Sequence, residues 1–237
     1  MSYASASAPL IVLSPFAMCG RFTRNFTWKD VHDFLDVRFP SAEEMGPSFN
    51  IAPTHRTPVC RLDAAGGREL APLAWGLIPP WSDCGKPGPI NARAETVATN
   101  RFFRDAFKHR RCVVPASGFY EWRQTGDAKQ PYYYYLLNDP IFCFAGLWER
   151  WVREGSAIDT FTILTTRPNA LLGEVHDRMP VILRRSDLGR WLETGDTALF
   201  EPYPAEEMTS HPVSTRVNSP KNNDASLCQP AAKEGLF

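Results

Sequence analysis

The chain has 237 residues, of which 43% are hydrophobic and 12% aromatic, enough for one large domain or two small ones with a buried core. Its 26 basic and 26 acidic residues cancel, so attraction to a polyanion has to come from a local patch of charge rather than from the whole surface. No apolar run reaches the roughly 18 residues that cross a bilayer, which excludes a transmembrane helix.

Six cysteines are scattered along the chain without a C-x-x-C pair or a histidine at metal-ligand spacing, which argues against a zinc site and a disulfide framework. No metal or organic cofactor is expected. Cys112 and Cys143 lie in apolar runs and are predicted to be core residues. Residues 1–17 contain no Lys or Arg, and their apolar run PLIVL is too short for a secretory signal. We expect them to be a disordered leader or an extension upstream of the start codon that is used.

Four helices are predicted. The first covers NFTWKDVHDFLDVRFP, with Thr27 as N-cap, Asp30 completing a capping box and Pro40 as the stop. The second runs from about residue 100 to residue 109, with its phenylalanines inward and its basic residues outward. The last two are NALLGEV and SDLGRWLE, the latter capped by Ser186.

Segments rich in β-branched and aromatic residues lie between these helices and are predicted strands: RCVVPA, GFYEW, PYYYYLL, IFCFAGLW and TFTILTT. PYYYYLL and IFCFAGLW are predicted to form a hairpin that turns at residues 138–140. Strands interrupted by few helices indicate an α+β fold, a single domain with a mixed, mainly antiparallel, barrel-like sheet and flanking helices. The domain is predicted to cover residues 18–226. Residues 227–237, the end of SPKNNDASLCQPAAKEGLF, are predicted to be part of a loosely held tail.

Four segments carry polar residues that a fold alone does not require: MCGRF, WGLIPPW…INARAET, VVPASGFYEW and VHDRMPVIL. Together with FNIAPT, FAGLWE and VN, they resemble the SRAP family, the SOS-response-associated, abasic-site-processing proteins, in family order from Met18 to about Ser226. The resemblance implies the SRAP fold. The leader departs from the family pattern, because the family's cysteine directly follows the initiator methionine.

Cys19 lies in MCGRF, a poor core strand, although a lone cysteine is more often a small buried residue. If Met18 is removed or the leader is cleaved, Cys19 carries a free α-amine beside its thiol. A terminal cysteine has an amine pKa of about 8 and a thiol pKa of about 8.5, so both nucleophiles are partly available at neutral pH. Such an aminothiol condenses with an aldehyde to an imine, which the thiol closes to a thiazolidine. An abasic site in DNA is an aldehyde in its open-chain form.

Three further residues complete the predicted catalytic site. Glu121 is either a strand-end carboxylate that reaches water or a carboxylate desolvated among aromatics, which suits proton exchange with the Cys19 amine. His176 is either a surface histidine or, as the resemblance implies, the group that moves a proton when the closed sugar opens. Asn91 is either a turn residue or, by the same resemblance, the group that positions Cys19.

The predicted DNA contacts lie in the same motifs. Arg21, Arg93 and Arg178 are the expected phosphate contacts. Trp75 and Pro79, in WGLIPPW, offer a flat apolar surface for an unstacked base, although Trp75 is nearly as readily a core residue. A basic run, KHRRC, either contacts DNA or complements the carboxyl end of the second helix.

The sequence thus predicts an enzyme that senses abasic sites in single-stranded DNA and crosslinks to them through Cys19, with lyase-type chemistry and autoproteolytic exposure of that cysteine. We expect a cytoplasmic, nucleoid-associated bacterial monomer that does not bind membranes. Two alternatives stay open. One is a cysteine peptidase with His176 as base and Asn91 as orienting or oxyanion group. The other is a non-catalytic single-stranded DNA-binding protein.

Overall fold

A computed structural model describes residues 20–37 and 45–231. The predicted leader, Met18, Cys19, Pro40 and residues 232–237 lie outside these ranges. The strands are β1 (Phe22–Arg24), β2 (Ser48–Ile51), β3 (Arg56–Leu62), β4 (Arg68–Trp75), β5 (Asn91–Arg93), β6 (Arg111–Ala116), β7 (Gly118–Thr125), β8 (Ala128–Leu136), β9 (Phe142–Arg153), β10 (Ser156–Thr166), β11 (Met179–Pro180), β12 (Ile182–Leu183) and β13 (Met208–Pro212). The α-helices are α1 (Trp28–Leu35), α2 (Arg104–His109), α3 (Ala170–Gly173) and α4 (Leu188–Thr194), and the 3-10 helices are Arg185–Asp187, Thr197–Phe200, Ala205–Glu207, Thr215–Asn218 and Ala225–Cys228.

Five strands close into a barrel in the order β10, β4, β3, β6, β9, because β9 pairs with β10 again along their shared hairpin. Strands β5, β11 and β12 attach to this barrel. A second sheet has the order β13, β8, β7, β1, β2. The pairings of β10 with β4 and with β5 are parallel, and the other pairings in these sheets are antiparallel. The predicted single α+β domain with a mainly antiparallel, barrel-like sheet is confirmed.

Side-chain alternation along the barrel strands separates two apolar layers. Along β6, Cys112 and Val114 pack in a cluster shared with Phe22 of the second sheet. Val113, between them, packs with Cys143 in the cluster that α1 and α4 cover. Cys112 and Cys143 are fully buried, so their predicted place in the core is confirmed.

Helix α1 follows its predicted local signals. The Thr27 hydroxyl accepts a hydrogen bond from the Asp30 amide, and the Asp30 carboxylate accepts one from the Thr27 amide, which completes the capping box. The helix ends at Asp36, whose φ of 52° places it in the left-handed region. No helix in the two described ranges is long and apolar enough to cross a membrane.

Two helix boundaries differ from the prediction. Helix α2 begins at Arg104 rather than near residue 100, because the Asn100 side chain accepts a hydrogen bond from the Phe102 amide and holds a turn there. Helix α4 has Asp187 as its N-cap, and Ser186 lies in the preceding 3-10 turn. The predicted Ser186 cap is therefore wrong.

The predicted hairpin between β8 and β9 is also wrong. Strand β8 pairs with β7 and β13, where Tyr134 stacks on Phe119 with ring centroids 5.4 Å apart. Strand β9 pairs with β6, β10 and β12, and it is buried on both faces from Phe142 to Leu147. Such two-sided burial suits a barrel strand. The loop at residues 138–140 thus carries the chain from one sheet to the other.

The C-terminal segment, defined here as residues 213–231, packs against the second sheet. Leu227 and Val217 are fully buried in a cluster with Tyr120 and Tyr133. The expectation of a loosely held tail is therefore wrong up to residue 231. Three buried apolar residues, Val213, Val217 and Leu227, anchor this otherwise mostly polar stretch.

Candidate active site

The carboxyl end of β10 brings together predicted site residues from two distant parts of the chain. Its residues 163–165 pair in parallel with β5, which begins at Asn91 and ends at Arg93. Residues 165 and 166 pair antiparallel with β11, which directly follows His176 and Arg178. All four residues therefore lie at one end of one strand.

Glu121 lies in β7 with only 4% of its surface exposed, opposite Tyr132 of β8. It is buried among aromatic side chains and does not reach water as a strand-end carboxylate would. Burial, and secondarily the Glu121 carboxylate, raise the pKa of Tyr134 to about 12.

Strand β1 leads the chain towards Glu121. Phe22 lies opposite Phe119 in the antiparallel pair of β1 and β7. Continuing this register by two residues takes the chain from Phe22 to Gly20 and β7 from Phe119 to Glu121. The next residue is Cys19, which lies outside the described residues.

His176 follows α3 and keeps 22% of its side chain exposed. Burial lowers its pKa, and the Asp177 carboxylate, whose Oδ1 lies 2.7 Å from His176 Nδ1, acts in the opposite direction. A lowered pKa keeps the imidazole neutral at physiological pH, so it is available as a proton acceptor.

An ion pair connects β7 to the His176 turn. The Arg123 guanidinium lies 3.5 Å from the Glu174 carboxylate. Arg123 is two residues beyond Glu121 and so on the same face of the strand, and Glu174 is two residues before His176. Both side chains are about half exposed, so the pair contributes at most about 1 kcal/mol. It nevertheless links the elements that carry the two titratable site residues.

The other two arginines at the end of β10 differ in their partners. Arg93 is exposed, and its side chain makes no hydrogen bond or ion pair within the described part of the chain. Arg178 pairs with both carboxylate oxygens of Glu95 and also donates to the Thr165 carbonyl. Of the two guanidinium groups, that of Arg93 has no bonded donor and is fully open to an incoming anion, whereas three donors of Arg178 are already bonded.

Arg21 is held inside the fold by what we call the Asn50 junction. Its guanidinium donates to Asn50 Oδ1 at 2.9 Å and to the carbonyls of Val217 and Asn218 at 2.7 and 3.1 Å. The Asn50 amide, in a residue only 1% exposed, contacts the carbonyls of residues 217, 219 and 222 at 2.9 to 3.1 Å. Burial lowers the pKa of Arg21. The junction therefore ties the strand that leads to Cys19 to the C-terminal segment.

Trp75 offers no stacking surface. It is fully buried, its indole N–H donates to the Ile90 carbonyl at 2.9 Å, and its ring contacts Phe22 edge-on at 5.2 Å. The prediction of Trp75 as a base platform is wrong in this structure, and the core alternative is what the fold shows.

Pro79 is buried as well, at the wall of an open cavity of about 360 Å³. Glu149, on the same wall, pairs with Thr160, five residues before Thr165, so the cavity lies about 16 Å along β10 from the end where the site residues meet. The large exposed aromatic here is Trp81, with 58% of its surface accessible. Trp81 follows two prolines and lies outside any strand, and this position in the sequence distinguishes it from Trp75, the other tryptophan of the motif.

Comparison with known proteins identifies the family. The family described as SOS response associated peptidase (SRAP) matches residues 18–220. This chain is a member of the SRAP family. It is 41% identical over 222 residues to the abasic site processing protein YoaM of Bacillus subtilis, covering 89% of this chain and 97% of that protein. It is 34% identical to the abasic site processing protein YedK of Escherichia coli, covering 90% and 100%.

Further comparisons include a vertebrate relative and a solved structure. The abasic site processing protein HMCES of Xenopus tropicalis is 33% identical, covering 87% of this SRAP chain and 76% of that protein. A crystal structure of a protein from Bacteroides thetaiotaomicron superposes with a TM-score of 0.79 at 27% identity, covering 90% and 100%. The resemblance inferred from the motifs is thereby confirmed.

The basic run KHRRC of this SRAP protein closes helix ends. Arg111 donates to five backbone carbonyls at the carboxyl ends of α2 and α4, those of residues 107, 108, 191, 192 and 193. Arg110 pairs with the buried Glu149 at 2.7 Å. Of the two roles predicted for this run, Arg111 therefore has the one at the helix ends, because cations stabilise the unpaired carbonyls there.

Proposed function

We propose that this protein senses abasic sites in single-stranded DNA and crosslinks to them through a thiazolidine at Cys19. Membership of the SRAP family and the names of its relatives support the substrate class. The observation that carries the proposal is the convergence of Asn91 and His176 at the end of β10 with the buried Glu121 beside the strand that leads to residue 19.

The chemistry assigns each group a task. His176 transfers a proton between the C1′ hydroxyl and the ring oxygen, which opens the sugar to its aldehyde. The Cys19 amine attacks C1′ and one water leaves, giving an imine. The thiol then adds across the C=N bond, with sulfur bonding to carbon and a proton passing to nitrogen. Glu121 holds or accepts the amine proton, and Asn91 orients the terminal residue. The net change is the loss of one water.

DNA binding rests on phosphate contacts and needs no base readout, because the lesion has no base. The guanidinium of Arg93 has no partner in the described part of the chain and is the first phosphate contact. Arg21 and Arg178 contribute the N–H groups that their internal hydrogen bonds leave unused. Trp81 replaces Trp75 as the exposed aromatic for a neighbouring base. We expect the protein to act as a monomer, in the cytoplasm and near the nucleoid.

The proposal requires that the active form begins at Cys19. An amide nitrogen has its lone pair delocalised into the carbonyl and forms no imine, so a chain that retains residues 1–18 lacks the amine. Initiation at Met18 followed by methionine removal exposes it. Self-cleavage of the leader by Cys19, Glu121 and His176 would expose it too and would account for the peptidase in the family description.

Intact mass tests the proposal. One protein begins at Met18 and a second retains an uncleavable leader, and each is incubated with a single-stranded oligonucleotide that has one abasic site. The first should gain the mass of the oligonucleotide less one water, and the second should form nothing stable. An undamaged oligonucleotide and Cys19→Ser are the controls. Equal adduct formation by the chain that retains its leader would overturn the mechanism.

Two further measurements on the same proteins distinguish the two alternatives. A cysteine peptidase acting on other proteins would cleave a peptide in trans at a rate that DNA does not change. A non-catalytic binding protein would hold damaged and undamaged strands equally well, and Cys19→Ser would bind as the parent does.

A further inference from the structure

Glu95 lies in the turn after β5, between two arginines assigned to phosphate binding. Its carboxylate accepts hydrogen bonds from Arg178 Nη1 at 2.5 Å and Nη2 at 2.7 Å. Arg93 is two residues earlier. The pKa of Glu95 is lowered, chiefly by its hydrogen bonds to Arg178, with smaller contributions that include the charge of Arg93. In the free protein, an anionic oxygen pair thus lies against Arg178, two residues along the chain from Arg93.

Three of the five N–H donors of Arg178 are bonded, and a fourth is buried. A guanidinium has five N–H groups, of which two bond to Glu95 and one to the Thr165 carbonyl. The Nε–H is buried and has no partner among the described residues. One N–H, on Nη1, is left for a ligand. A phosphate that binds Arg178 through two parallel hydrogen bonds therefore needs the edge that Glu95 occupies.

Glu95 is exposed enough for its carboxylate to be displaced. Its side chain is 50% exposed, whereas that of Arg178 is 16% exposed. The arginine is thus held in place by its surroundings, and the carboxylate is the partner with room to rotate into water.

We propose that Glu95 is an internal competitor for phosphate at Arg178, bound there in the free protein and displaced when a DNA strand binds. The inference rests on the proposed function. Undamaged and damaged strands both have to displace Glu95, so reversible binding is weakened for both. Only a strand with an abasic site is then retained by a covalent bond. Glu95 thereby sharpens discrimination without contacting the lesion.

The test uses Glu95→Gln in the protein that begins at Met18, with binding of an undamaged single strand measured at several salt concentrations. We expect binding about two- to five-fold tighter at low salt, the scale of a half-exposed ion pair. The slope of log K against log salt should steepen by about 0.3 to 0.7, because salt also screens the competing ion pair of the parent and the gain in affinity therefore fades as salt rises. The adduct rate constant at saturating abasic DNA should stay within about twofold, because no group in the chemistry has changed.

Two variants serve as controls. Glu201→Gln removes the same charge from another exposed pair with an arginine, Arg167, and should leave the slope unchanged. The double variant Glu95→Gln with Arg178→Ala should bind DNA no more tightly than Arg178→Ala alone, since the two residues act on one contact. If Glu95→Gln unfolds, Glu95→Ala at this exposed turn position should show the same tighter binding.

The outcomes separate the two proposals. If the parent crosslinks to abasic DNA but Glu95→Gln binds undamaged strands no more tightly, or more weakly, Glu95 is a structural brace for Arg178 and the competitor role is wrong. An equal gain in DNA affinity in Glu201→Gln would show that the tighter binding comes from net charge alone, and it would also overturn the competitor role. If the parent neither binds nor crosslinks single strands, the proposed function itself fails.

Discussion

Replacing Asn50 by alanine should destabilise the protein strongly, because its amide lies at the centre of the Asn50 junction. Asn50 is 1% exposed and contacts one arginine and three carbonyls. An amide has two N–H groups, so its removal orphans about two carbonyls, each worth about 1–3 kcal/mol when left unsatisfied. We expect a loss of about 3 kcal/mol in the free energy of unfolding, and a Tm lower by about 6–12 °C for a chain of this length.

Denaturant unfolding followed by circular dichroism measures the loss, with Asn138→Ala as the control. Asn138 is exposed in the loop after β8, and its replacement should change the unfolding free energy by no more than about 0.5 kcal/mol. The adduct rate of Asn50→Ala should fall by a larger factor than its reversible DNA affinity, because the strand that leads to Cys19 is no longer held in place. If Asn50→Ala lowers the free energy of unfolding by less than about 1 kcal/mol, the argument that its loss leaves carbonyls unsatisfied is refuted.

Four shorter predictions follow. Asp177→Asn removes the charge that raises the pKa of His176, so the acid limb of the adduct rate should move to lower pH, and a shift to higher pH would contradict the assignment. Arg111→Ala should lower the free energy of unfolding by about 2–4 kcal/mol in thermal or denaturant melts, since helix-end carbonyls lose their donor, with the salt slope of DNA binding unchanged. Leu227→Ala should cost about 2–5 kcal/mol, whereas a true tail residue would cost nothing measurable. Arg93→Ala should flatten the salt slope by about 0.7 in a filter-binding titration, and an unchanged slope would remove Arg93 from the phosphate contacts.

Local signals in the sequence were reliable where the interaction is itself local. The capping box of Thr27 and Asp30 formed as predicted because both partners lie within one turn of the helix. Cys112 and Cys143 are buried because each lies in a strand that is apolar on successive positions. The meeting of Asn91 with His176 was expected only from the family resemblance, since it depends on a parallel pairing between strands distant in sequence.

Errors arose where two arrangements satisfy the same local pattern. A short polar turn between β8 and β9 is compatible with a hairpin and with a crossing between sheets, and the choice depends on long-range partners such as Phe119 for Tyr134. The motif WGLIPPW contains two tryptophans, and sequence alone did not assign Trp75 to the interior and Trp81 to the surface. Glu95 was missed because a residue that competes with a ligand leaves no separate signature in the sequence.

The Asn50 junction sets an order of events during synthesis. Chains grow at about 5–20 residues per second and commonly fold from the amino end as they emerge. Here the guanidinium of Arg21 depends on the carbonyls of residues 217 and 218, which lie 196 and 197 residues further along the chain. The first strand therefore has to wait for its anchor. A prematurely terminated product of this gene therefore has its amino-terminal strand without its anchor. The amino-terminal strand is therefore fixed only after the segment that contains residues 217 and 218 has been made.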